Sequence, residues 1–252
     1  MGFWPVVQNI LRKADIIVLV ADARMPELTI NLELKAQVES NGKIGVLIFN
    51  KIDLIPEEDL KKLKSDYPSA FFVSGIKNRG ISNLKRELLI MGKRAGFKEP
   101  IVGMVGYPNV GKSAIINALA HRARAAISSI AGTTKGPQWI KAGSLKVIDS
   151  PGVIPFEDKN SKLGLIAAKN PEKINVPERV AVKIIEMFIE KNPKKLAEYY
   201  KLSDEQLNND SYEILLEIGA KRGYLSKGGI VDEKKTSIQL IRDWQKGKLG
   251  FK

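Results

Sequence analysis

The sequence predicts an α/β domain built on a mainly parallel sheet covered on both faces, followed by a smaller all-helical domain. Three observations predict it. Strand-length apolar runs recur at 16–21, 46–49, 70–73 and 101–105, each closed by a polar or glycine-containing turn and separated by helix-like stretches. Residues 138–141 and 145–148 read as two short strands joined at Gly143-Ser144, a hairpin. After about Gly164 the strand pattern stops and helical spacing takes over. The division is therefore placed at 1–163 and 164–252.

Within the second part, Pro177 suits a first helical position, and Val180, Ile184, Ile185, Phe188 and Ile189 form an apolar stripe at 3.6 spacing. Asn192-Pro193 ends that helix and can begin another. Further helices are expected over 211–220 and 232–245, the latter burying Ile238, Ile241 and Trp244.

Composition narrows the chemistry. The 252 residues include no Cys and one His, which excludes disulfides, thiolate nucleophiles and multi-histidine zinc sites. No apolar run approaches the roughly 18 residues of a membrane span. The amino end lacks a signal-peptide pattern, so a cytoplasmic location is expected, and a monomer is the default. The 41 basic and 28 acidic residues give +13. Residues 76–146 carry 13 basic and 2 acidic side chains, hence +11. Charge concentrated in this way points to a polyanion partner.

The run GYPNVGKS at 106–113 satisfies G-x-x-x-x-G-K-[ST], between an apolar strand and a helical run. Its four fixed positions would arise by accident in about one chain in a hundred. The backbone amides of Gly106, Asn109, Val110, Gly111, Lys112, Ser113 and Ala114 can wrap phosphates at a helix N-terminus. Lys112 would reach the β and γ oxygens and Ser113 would hold Mg²⁺. Asp149-Ser-Pro-Gly152 lies 37 residues beyond Lys112 at a strand end. There a carboxylate is expected to reach Mg²⁺ and the Gly152 amide the γ-phosphate. Between them Gly132-Thr-Thr134-Lys135 offers a hydroxyl, assigned to Thr134, for the same metal in a loop ordered by the γ-phosphate.

Asn50-Lys51-Ile52-Asp53 suits guanine: the Asp53 carboxylate accepts from the ring N–H and the exocyclic amine, Asn50 steadies the loop, and the Lys51 stem covers a base face. Ser74-Gly75, at the next strand end, could place a backbone N–H against the guanine carbonyl. Both elements precede the phosphate loop, the reverse of the order in ordinary small GTPases. Circular permutation accounts for this, because joining nearby termini and opening the chain elsewhere preserves a site in space. Residues 78–100 would form the join.

On motif order, on Asp22-Ala-Arg24 followed by Pro26, on GYPNVGKS, on Gln138-Trp139, and on IGAKRG at 218–223 with KGG at 227–229, the chain resembles the circularly permuted GTPases of the YlqF/YawG type over nearly its full length. The resemblance implies a P-loop GTPase fold, GTP/GDP and Mg²⁺ binding, weak intrinsic hydrolysis, and association through RNA with a large ribosomal subunit precursor. On this reading the helical part contacts rRNA. Val153 follows Gly152 where Ras-like enzymes carry a water-orienting Gln, and 1–14 contain no His. His121, eight residues past Ser113, lies roughly 12 Å down its helix from the phosphates. Asn109, which helps hold K⁺ in related GTPases, offers K⁺ stimulation instead. Lys112, Thr134, Gly152 and Asn109 are the catalytic candidates. A nucleotide-binding scaffold with negligible turnover and a P-loop ATPase remain the alternatives.

Overall fold

The computed structural model describes residues 3–120, 138–150 and 169–252. By its contacts the chain divides into two compact units, 1–158 and 159–252.

The first unit opens with α1 (Phe3–Lys13), β1 (Ile16–Asp22), α2 (Pro26–Thr29), α3 (Leu32–Ser40) and β2 (Ile44–Asn50). A 3₁₀ turn at Ile52–Leu54, α4 (Glu57–Asp66), β3 (Phe71–Phe72) and α5 (Ile81–Arg94) follow. It closes with β4 (Ile101–Val105), α6 (Lys112–Ala120), β5 (Gln138–Ala142) and β6 (Leu145–Asp149). The six strands lie in the order β3-β2-β1-β4-β6-β5, parallel throughout except for the β5–β6 hairpin at one edge. All seven residues of β1 are buried, as an unbroken apolar run in a parallel sheet requires. On one face Val7, Ile10 and Leu11 of α1 and Ala14 just after it, with Leu34 and Val38 of α3, cluster on Ile17, Leu19, Val105 and Ile148. Gly103 permits that approach, since a Cβ there would stand 2.5 Å from Ile10 Cγ2. Residues of opposite parity, among them Ile16, Val18, Val102, Met104 and Val147, are equally buried. Helix α6 packs on β5 and β6, with α5 beside it.

The expected strands are present, with β3 only two residues long. The chain leaves β1 for β2 on one side and β4 for β6 on the other, so β1 and β4 form the switch point at which open α/β sheets bind ligands beyond their strand ends.

The second unit contains a 3₁₀ turn at Pro171–Lys173, α7 (Pro177–Lys191), α8 (Pro193–Tyr200), α9 (Asp204–Leu207), α10 (Ser211–Lys221) and α11 (Glu233–Gln245). Helix α7 packs against α8, α10 and α11. Phe188, Trp244 and Phe251 form its aromatic centre, with ring centroids 4.8–5.9 Å apart. The buried stripe of α11 runs through Ser237, Leu240, Ile241 and Trp244, leaving Ile238 half-buried rather than buried as expected. The reason is the close approach of α10: a Cβ at Gly219 would lie 2.6 Å from Thr236 Oγ1, which turns the Thr236–Ser237 side of α11 inward.

Candidate functional site

The loop from Gly106 to Gly111 leaves β4 and turns over the end of β1. Gly106 adopts φ 147°, and a Cβ there would stand 2.4 Å from the Val20 carbonyl. Asn109 takes the left-handed region at φ 60° and Gly111 lies at φ 96°. Val110 and Ala114 are buried, and the loop ends at the first turn of α6. The Lys112 ammonium is held in the loop, donating to the carbonyls of Tyr107 at 2.8 Å and Gly106 at 3.0 Å. Burial pulls its pKa down to about 8, against the opposing influence of Asp149.

Ser113 Oγ donates to Asp149 Oδ2 at 3.0 Å, joining the start of α6 to the end of β6. The other carboxylate oxygen, Asp149 Oδ1, is buried and has no hydrogen-bond partner among the described residues. Burial raises the Asp149 pKa, while Lys112 and Ser113 act to lower it. A hydroxyl, a carboxylate and an orphaned buried oxygen suit Mg²⁺, which takes few protein ligands and completes its octahedron with phosphate and water. No larger cluster of metal-binding side chains occurs among the described residues. Thr134 and Gly152, expected to serve the same metal and the γ-phosphate, lie outside the described residues, as do Thr133, His121, Val153 and the expected boundary at 163–164.

Asn50 joins the two distant motifs. Its Nδ2 donates to the Val110 carbonyl at 2.9 Å, and its Oδ1 accepts the Gly75 N–H at 3.0 Å. One carboxamide at the end of β2 thus binds both the loop that follows β3 and the phosphate loop. Gly111 and Gly75 are required by this convergence. A Cβ on Gly111 would lie 2.1 Å from Asn50 Nδ2, and one on Gly75 would lie 2.8 Å from the Ile115 nitrogen of α6. Ser74 and Gly75 follow β3, and the backbone N–H groups expected for the guanine carbonyl are engaged within the protein, Ser74 with the Arg79 carbonyl and Gly75 with Asn50. Asp53 sits in the 3₁₀ turn entered through Lys51, which takes φ 66°.

Beside that turn Asp22 and Arg24, for which the sequence suggested no part in the site, form a buried cluster with Lys51. Asp22, at the end of β1, accepts from the Arg24 backbone N–H at 3.1 Å, from its Nε at 3.0 Å and from its Nη2 at 2.8 Å. The Lys51 ammonium approaches Asp22 Oδ2 to 2.7 Å. Burial works to raise the Asp22 pKa, but Arg24 and Lys51 hold the carboxyl well below the usual range. Burial lowers the Lys51 pKa, with Asp22 opposing. The Ala23 N–H also donates to the Asn50 carbonyl at 2.8 Å. The available signal was the pair of opposite charges closing a fully apolar strand, because a charge carried to a buried strand end needs a partner. The Lys51 head is thereby committed to Asp22, and only its stem is left for a base.

Residues 5–158 match the family described as RsgA GTPase, and residues 101–216 match 50S ribosome-binding GTPase. Curated relatives include a GTP-binding protein of Methanocaldococcus jannaschii, 38% identical over 98% of this chain and 65% of its own length. Another is the nuclear GTP-binding protein NUG1 of Saccharomyces cerevisiae, 31% identical over 97% of this chain and 54% of its own. The chain thus spans about half to two-thirds of these relatives. Among solved structures, GDP-bound YlqF from T. maritima superposes with a TM-score of 0.63, at 22% identity over 97% of this chain and 95% of that one. The permuted order of the motifs, their convergence on Asn50 and these matches lead to one assignment: the chain belongs to the RsgA GTPase family and carries a circularly permuted GTPase domain.

Proposed function

We propose that the chain is a guanine-nucleotide switch of ribosome assembly. It binds GTP and GDP with Mg²⁺, hydrolyses GTP slowly on its own and faster on ribosomal particles, and docks on rRNA of a large-subunit precursor. The observation that carries this reading is the Asn50 carboxamide, which ties the base-selecting turn to the phosphate loop. Asp53 selects guanine with Asn50, Lys51, Ser74 and Gly75 around it. Lys112 and the amides of 106–114 hold phosphate, and Ser113, Asp149 and Thr134 serve Mg²⁺. Gly152 senses the γ-phosphate, and the helical part contacts rRNA. The metal, when bound, neutralises charge on the β and γ oxygens. Asn109 supports K⁺ stimulation, tested by replacing K⁺ with Na⁺ during turnover on particles.

Exchanging Asp53→Asn tests the nucleotide assignment: affinity for GTP should fall and affinity for xanthosine triphosphate should rise, whereas unchanged GTP binding would remove guanine from the reading. The switch itself is tested by particle binding with GDP and with a non-hydrolysable GTP analogue, which should differ. A scaffold with negligible turnover is favoured by Val153 and by the lack of His in 1–14. Purified ribosomal subunits that leave hydrolysis unstimulated would decide for it.

A further inference from the structure

Strand β5 is one of the two edges of the sheet among the described residues, and on the face it shares with Lys141 Trp139 is 52% exposed. Trp139 stands opposite Ile148 and its neighbour on that face, Lys141, stands opposite Lys146. Two lysines directly across a hairpin repel and cost stability. Around them the charge is unbalanced: Glu99 pairs with Lys146 at 2.7 Å, and Lys141 and Lys98 also lower its pKa. One carboxylate is thus set against Lys146, Lys141 and Lys98, inside the 76–146 segment that carries most of the chain's positive charge.

We propose that this face binds an unpaired stretch of RNA, with one base stacked on Trp139 and the flanking phosphates on Lys98, Lys141 and Lys146. The inference rests on the RNA-binding part of the reading above and deepens it. A large aromatic ring left half in water, with Lys141 about 7 Å along the strand, combines a stacking platform with phosphate neutralisation. Protein interface cores are depleted in Lys, which disfavours a protein ligand on this face. Duplex RNA keeps its bases stacked inside the helix and offers no face to the indole. The location also carries a consequence for the switch. One register step beyond the Trp139–Ile148 pair lies Gln138 opposite Asp149, the carboxylate bonded to Ser113. A base seated on Trp139 thus presses on the hairpin next to the metal-binding end.

The test measures a fluorescein-labelled single-stranded oligouridylate by anisotropy against the wild type, W139A and W139F, with an RNA duplex of equal length and heparin as base-inaccessible polyanions. Trp139→Ala should weaken oligouridylate about tenfold. It should leave duplex, heparin and GDP affinity unchanged, and W139F should retain most of the binding. Lys141→Ala should lower the salt slope by about 0.7. Equal oligouridylate affinity in W139A and W139F and the wild type overturns the proposal, as does an equal loss on duplex and heparin. Cosedimentation of the wild type with ribosomal subunits is measured in parallel. A wild type that cosediments without a Trp139 effect on oligouridylate refutes this inference alone. A Trp139 effect without cosedimentation supports it and refutes the ribosomal reading.

Discussion

Replacing Asp22 by Asn removes the one anion from a buried cluster with two cations, and its cost follows from the geometry. Asn can still accept from the Arg24 backbone N–H and Nε, but its amide would face Arg24 Nη2 and the Lys51 ammonium, which now lie 2.8 and 2.7 Å from Oδ2. Breaking a buried pair while leaving the partner charged costs about 3–5 kcal/mol. Because a chain of two units is a poor two-state system, native-state hydrogen exchange on the β1 and β2 amides is the suitable assay. That cost corresponds to exchange faster by roughly 10²–10⁴-fold in D22N. In the wild type the Asp22 pKa lies below its unfolded value, near 3.9. Its contribution is therefore complete above about pH 4 and is lost as pH falls through the folded value, so the gap between wild type and D22N should stay constant from pH 7 to 5 and narrow below 4. Adding Lys51→Met to D22N should recover part of the loss, since one stranded cation is removed. A difference under about 1 kcal/mol, or one that widens in acid, would refute the reasoning.

Further expectations concern the nucleotide loop and the helical unit. Gly111→Ala sets a Cβ against Asn50 Nδ2 at a backbone angle foreign to alanine, and GDP binding by calorimetry should weaken by at least about tenfold. Ser113→Ala takes away the hydroxyl bonded to Asp149, so the Mg²⁺ concentration needed for half-maximal tightening of GDP should rise about tenfold or more. Phe188→Ala opens the aromatic centre of the second unit at a cost of about 3–5 kcal/mol, read as a lower urea midpoint for the α7 and α11 amides.

What could be read in advance was local. The phosphate loop is contiguous, and its glycines, lysine and serine announce their own backbone geometry. The strands β1, β2 and β4 show as apolar runs because both their faces are covered. The hairpin around Gly143 is likewise written in its turn. The Asp22–Arg24–Lys51 cluster was not legible as a unit, because it exists only once β1 and β2 lie in the register that sets Asp22 beside Asn50. The role of Asn50 was half legible. Its place in the base-selecting turn is a matter of spacing, but its hold on Val110, sixty residues away, is tertiary. On α11, Ile241 and Trp244 are buried as expected but Ile238 is not, because apolarity was weighed and the small, close-packed Thr236 and Ser237 were not.

The strand order also fixes a timetable for biosynthesis. A ribosome releases β1, β2 and β3 together with Asn50 and Asp53 before β4 and its loop exist, and the 63 residues from Lys51 to Ser113 take roughly 3–13 s to translate. During that interval the side of β1 destined for β4 has no neighbour. No nucleotide can be clasped until the later half arrives, so the nascent first half must hold its shape by its own packing.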